Sequence, residues 1–262
     1  MRKTARPVMW VGAPAQSTII EFMFPYDGAL LAALESVPAS IPDVLRTMQA
    51  IDAVCAKGDG LKWFNGLYLQ VTQAVADRIS AGDFGDGAWL ALLDVEFAKL
   101  YFGALKSSLT GQTAPECWQI LFDRRNQGQI ARIQFALAGV NAHIDHDLAE
   151  AIVNTCAKSG TAPVHGSVHY NDYTNLNSTL DSLIDTAKRV LHVRLSGECL
   201  PAVPQLEDTI AAWSVSAARE AAWRSAEHLW ALRAIGPFEE GYMDMIDGLT
   251  TVIGKTLLIT VP

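Results

Sequence analysis

Apolar positions recur with a period close to 3.6 along most of the chain, so the pattern predicts helices almost throughout. Leu61, Phe64, Leu67, Val71, Val75 and Ile79 fall on one face of a helix over 61–80. Trp89, Leu90, Leu93, Phe97, Leu100 and Tyr101 do the same for a helix capped by Asp86 that runs to about Leu109. Ser40-Ile41-Pro42 opens an earlier one, with serine at the N-cap and proline in the first turn, ahead of Val44, Leu45, Met48, Ile51 and Val54. Weaker patterns place helices over 26–36 and from Thr113 to about Arg125. Towards the C-terminus, helices are expected from Val168 or Asn171 through Leu191, over 205–233 with a kink near Ser214–Ser216, and over 238–258. Residues 1–16 read as an arm, and Ser17–Phe24 as a strand or short helix ended by Pro25. Alternating strand patterns, repeats and low-complexity linkers are absent from the sequence. The expectation is a single all-α domain over residues 17–262, of eight or nine helices around a buried central one, with a split near 160–167 as the alternative.

The central helix is expected over 129–159. Ile133 to Val140 is apolar save for Gln134, and the run then breaks into Asn141-Ala142-His143-Ile144-Asp145-His146-Asp147 before apolar residues resume at Leu148, Ala151, Ile152 and Val153. A helix apolar nearly all round is buried. Ionisable groups on it must be paired, metal-bound or functional, because bare burial costs several kcal/mol.

His143 and Asp147 are four residues apart and share a helix face. Such a pair supplies two metal ligands, or a carboxylate that orients a general-base imidazole; alternatively the two side chains only satisfy each other. A second polar group, His169, Asp172, Tyr173 and Asn177, follows a short loop that would bring the chain back antiparallel to the central helix. On that geometry His143 and Asp147 face His169 and Asp172, although Asp172 could equally serve as an N-cap. Arg219, Trp223, Trp230 and Arg233 lie on one stripe, which lines a pocket or packs the core. Asp94 sits inside an apolar face and is a further inward carboxylate candidate, although it could equally hydrogen-bond to Tyr101 or an arginine.

Composition narrows the field. The 262 residues are 50% hydrophobic and 18% charged, ample for one large core. A net charge of −8 argues against nucleic acid and anionic lipid as partners. No apolar run reaches the ~18–20 residues of a membrane span, and the N-terminus makes a poor signal peptide. Cys55, Cys117, Cys156 and Cys199 are widely spaced, which fits reduced thiols in a cytoplasmic protein. Walker, Gly-x-Gly-x-x-Gly, Gly-x-Ser-x-Gly, His-Glu-x-x-His and Glu-x-x-His motifs are all missing.

Several stretches together resemble an uncharacterised helical family of bacteria and fungi, known only as a domain of unknown function. They are Gly58–Asn65, Asp94–Phe102, Gln134–Ile144, Asp172-Tyr173 with Asn177, and Trp213–Val215 with Arg219 and Trp223. The resemblance implies that Asn141, His143, Asp147, Asp172, Asn177, Arg219 and Trp223 belong to the family pattern, and it implies no activity. A fainter likeness is to the helical zinc-dependent phospholipase C and single-strand nuclease group, in which His-x-x-x-Asp is followed by a further histidine and carboxylate. His143, Asp147, His169 and Asp172 match that order. Val153 stands roughly where that group's next histidine falls, so a three-metal site is not expected.

Two functions follow. The first is an enzyme on a small, largely apolar molecule, performing hydrolysis, elimination or cyclisation by acid–base chemistry, as in a biosynthetic tailoring step. His143, Asp147, His169 and Asp172 would be catalytic, and His143, Asp147 and His169 would hold one divalent metal (zinc, iron or manganese) if any. Asn141, Asn177, Arg219, Trp223 and Trp230 would bind the substrate, with Arg219 on an anionic group. Homodimerisation is compatible with this. The second is a non-catalytic helical protein that binds a hydrophobic ligand or partner helix, with the polar cluster as a core network.

Overall fold

The computed structural model describes residues 23–199 and 204–260. The expected arm over 1–16, and most of the strand or helix expected over 17–24, lie outside them. Among the described residues twelve α-helical segments follow in order: α1 (Asp27–Ala33), α2 (Ile41–Val54), α3 (Leu61–Ala81), α4 (Gly87–Leu109), α5 (Glu116–Phe122), α6 (Arg132–Asn141), α7 (Leu148–Ser159), α8 (Val168–Asn175), α9 (Asn177–Val190), α10 (Pro204–Ala212), α11 (Val215–Leu232) and α12 (Gly236–Leu257). A π-helical stretch, Ala142–Asp147, joins α6 to α7 without a break, and only Leu176 separates α8 from α9, so the twelve segments make ten rods. Among the described residues the fold is all-α, with isolated bridges at Ala131–Arg194 and Val193–Cys199 in place of strands. No described helix is long and apolar enough to cross a membrane.

Most helix ends are written locally. Ser40 caps α2 by accepting the Asp43 N–H, with Pro42 in the first turn, and Asp86 caps α4 by accepting the Trp89 N–H at 2.9 Å. Gly82 and Gly160 end α3 and α7 with φ of 78° and 68°, a left-handed conformation that favours glycine. The kink expected near Ser214 is a full break. Ser214 is extended, and its hydroxyl accepts the Ala217 N–H, which makes it the N-cap of α11.

The rod α6–π–α7 is the core. α6 packs on α3 and α12, α7 on α4 and α11, and the π stretch on α11 and α12. Residues 133–143 are all buried. Gln134, the single polar residue in the upstream run, accepts the Ala131 N–H at 2.8 Å and donates to the Leu257 and Ile259 carbonyls. It thereby satisfies both the start of α6 and the end of α12. Gly139 lets α6 approach α3, since a Cβ there would run into the Phe64 ring.

Arg125 is buried between Asp59 and Asp27. Its Nε lies 3.0 and 3.1 Å from the Asp59 oxygens, and Tyr26 donates to the same carboxylate. All four cysteines are free thiols, three of them buried and Cys199 exposed.

Candidate active site

The π stretch sets the site. Its backbone opens to an i→i+5 bond from the Leu148 N–H to the His143 carbonyl. π turns inside α-helices are frequent at functional positions because the extra residue re-aims the side chains around them. Here His143, His146 and Asp147 are turned inward together, each less than 9% exposed. Asp147 Oδ2 lies 2.9 Å from His143 Nδ1 and accepts from Trp118 Nε1 at 2.9 Å, while Oδ1 lies 2.7 Å from His146 Nδ1. One carboxylate thus holds two imidazoles by their Nδ1 atoms. Burial would push Asp147 upward, but hydrogen bonds from His143 and His146 hold it below the usual carboxylate range.

His143 sits in an aromatic box. Phe97 stacks on it at 3.4 Å between centroids, Tyr68 meets it edge-on at 4.5 Å, and Phe64 and Trp118 close the sides at 5.8 Å. Burial pulls its pKa below the ordinary histidine value, against the raising effect of Asp147. The neutral ring, with its proton on Nδ1 towards Asp147, leaves a lone pair on Nε2. That atom is buried and has no hydrogen-bond partner.

His143 lines a cavity of about 60 Å³ walled by Phe64, Leu67, Phe97, Ile144, Leu180 and Ile184, with Tyr68 and Arg219 as its other polar residues. Arg219 is held by Asn177 Oδ1 at 2.8 Å and the Tyr173 carbonyl at 2.7 Å, with its guanidinium 3.8 Å over the Tyr173 ring. It is 5% exposed, and no described carboxylate forms an ion pair with it.

Three more buried polar atoms beside this region lack partners: Tyr68 Oη, Thr72 Oγ1 and Asp94 Oδ2. Such groups are rare, and each costs about 1–3 kcal/mol. Burial raises Asp94 to about 7, and its charge adds to the burial that lifts Tyr68. Tyr101, an alternative partner for Asp94, donates instead to Asn65 at 3.4 Å.

The other sequence candidates fall elsewhere. α8 packs mainly on α4 and α9 rather than antiparallel to α7. The two polar groups therefore do not face each other. His169 Nε2 lies 3.1 Å from Asp86, and its ring stacks on Trp89 at 4.6 Å. Asp172 accepts the Gly85 and Asp86 N–H groups at 2.9 and 2.6 Å. Both tie the α3–α4 turn to α8. Among the described residues, His143, Asp147 and His169 do not place ligand atoms around one point; Cys117, His146 and Asp247 do, within 4.8 Å of one another. Asn141 donates to the Thr250 carbonyl at 2.9 Å and joins the rod to α12. Trp223 is core, against Trp89 and Tyr173, and Trp230 carries Arg233 over its ring. Neither tryptophan lines the cavity.

Tyr68, Thr72, Phe97, Trp118, Cys117 and Asp247 went unselected by sequence reasoning. The signal for the first two was present, since Tyr68 and Thr72 interleave with the apolar stripe of α3 at i,i+4. A polar group inside such a stripe marks inward polarity.

The sequence profile of a family of unknown function, DUF5995, matches residues 41–260. No curated protein and no solved structure matches the chain.

Proposed function

We propose, from the premise that the chain belongs to the DUF5995 family of unknown function, that it is an acid–base enzyme acting on a small, largely apolar molecule with an anionic group. One observation carries this. His143 lines an apolar cavity, its Nε2 is buried without a partner, and Asp147 fixes its other nitrogen at 2.9 Å. A core histidine that existed only for packing would have both nitrogens satisfied or one in water.

In this mechanism Nε2 takes a proton from the substrate, and Asp147 stabilises the imidazolium that forms. Arg219, which forms no ion pair among the described residues, takes the anionic end, and Asn177 holds the guanidinium in place. Apolar walls offer a water nucleophile few partners, which favours elimination or cyclisation over hydrolysis. Excluding water also strengthens the electrostatics that Asp147 and Arg219 supply.

The test uses α-ketobutyrate and α-ketoisovalerate, small anions with an acidic C–H next to the carbonyl. In deuterated water the wild-type protein should exchange that proton, followed by proton NMR. His143→Gln should abolish exchange, and Arg219→Gln should raise KM by roughly tenfold or more, the loss of a charge-assisted hydrogen bond of about 1.5–3 kcal/mol. Binding of either acid without exchange would favour the non-catalytic alternative, a small-ligand binder. Exchange unaffected by His143→Gln would place the base elsewhere.

A further inference from the structure

We infer that Cys117, His146 and Asp247 form a divalent-metal site with zinc-type chemistry, joined to His143 through the shared carboxylate of Asp147. Three separate elements bring these groups together: Cys117 from α5, His146 from the π stretch and Asp247 from α12. Their ligand atoms lie within 4.8 Å of one another, and a tetrahedral zinc site needs neighbouring ligand atoms about 3.3–3.8 Å apart. Closing that gap takes small side-chain movements. Cys117 and His146 are buried, and Asp247 is half-buried, which leaves its side as the route of entry.

The donor types are selective. A thiolate and an imidazole with one carboxylate suit zinc, whereas magnesium and calcium prefer oxygen alone. Three protein ligands leave a fourth position open, the arrangement of catalytic rather than structural zinc. Metal-bound histidines nearly always donate their second ring N–H to a carboxylate or carbonyl, which fixes the tautomer and orients the ring. His146 already has that partner, with Nδ1 2.7 Å from Asp147 Oδ1, so Nε2 is its ligand atom.

Asp247 has a second role. Its oxygens accept the Glu116 and Cys117 N–H groups at 2.8 and 2.9 Å and so cap α5. Each oxygen keeps a further lone pair. The Cys117 thiol also hydrogen-bonds to Asp247; capping and that bond give no reason for an oriented imidazole at the same point. The site stands apart from the role of His143 as a base. It lies across Asp147 from the cavity, where an ion would set the orientation and charge of the carboxylate that holds His143.

The full chain, expressed without an affinity tag and stripped with a chelator, is titrated with cobalt(II) and then zinc(II). One equivalent of cobalt should bind with a thiolate charge-transfer band in the near ultraviolet, zinc should displace it, and zinc should raise the Tm. Cys117→Ser, nearly isosteric, should remove the band and the Tm rise while keeping the helical circular dichroism. Asp147→Asn should weaken binding by roughly 10–100-fold with the band's shape retained. His143→Gln should leave the band in place. A folded wild type that takes up no stoichiometric cobalt, a band that survives Cys117→Ser, or a band lost in a folded His143→Gln would each overturn the assignment. Metal binding as expected, with deuterium exchange that ignores His143→Gln, would sink the catalytic proposal alone.

Discussion

The imidazole of His143 lies flat on the ring of Phe97, with centroids 3.4 Å apart and planes within 4° of parallel. Phe97 comes from α4 and His143 from the π stretch, so the base is fixed by two elements distant in sequence. Phe97 covers one face while Asp147 holds the Nδ1 edge, and Nε2 on the other edge is buried without a partner.

That environment has a measurable consequence. Burial depresses the folded-state pKa of His143 below its ordinary 6.5, despite Asp147. Below 6.5 the unfolded chain therefore binds the proton more readily than the folded one, and stability is withdrawn as pH falls. Long-range nitrogen–proton NMR should show the Nδ1–H tautomer at neutral pH and a titration midpoint under 6.5. A midpoint above that value, or the Nε2–H tautomer, would contradict the assignment.

Asp94 works in the opposite sense. Its folded pKa of about 7 stands above the unfolded 3.8, so its contribution is fully present below 3.8 and is lost as pH rises through 7. The difference of about 3 units corresponds to on the order of 4 kcal/mol above pH 7. Asp94→Asn should raise the Tm relative to wild type at pH 8, with the advantage shrinking towards pH 5. A difference that does not change with pH would show that Asp94 is not the titrating group.

Arg125 joins three segments of the fold through Asp27, Asp59 and the Gly60 N–H. Replacing it with methionine leaves Asp59 and Asp27 buried without their cation. Loss of one partner from a buried pair costs about 3–5 kcal/mol, so urea denaturation should show a fall of that size with little change in deuterium exchange. A loss below 1 kcal/mol would mean that the carboxylates find water or neutralise at no cost.

Gly139 couples the rod to the cavity wall. A Cβ at this position collides with Phe64, a ring that lines the cavity and touches His143. Gly139→Ala should cost about 1–3 kcal/mol from overpacking, and it should weaken α-ketoisovalerate binding more than that of the smaller α-ketobutyrate. Equal affinities for both, with stability reduced, would confine the effect to packing.

The helical class, the caps at Ser40 and Asp86, the stop at Gly160 and the inward position of His143 and Asp147 were determined by the sequence alone. These are local properties, since period, capping chemistry and i,i+4 spacing act within one helix and need no knowledge of its neighbours. The location of His169 and Asp172 was decided by tertiary structure, because a loop from 160 to 167 permits α8 to settle on either α4 or α7, and packing chose α4. The same holds for Ser214. Its N-cap signal competes with an apolar pattern that runs on through it, and the backbone breaks where the cap is satisfied. Most of the site's companions, Phe97, Trp118, Cys117 and Asp247, lie 25 or more residues from His143 in the chain. Periodicity reports which face of a helix is apolar; which faces meet is fixed only when the whole core packs at once.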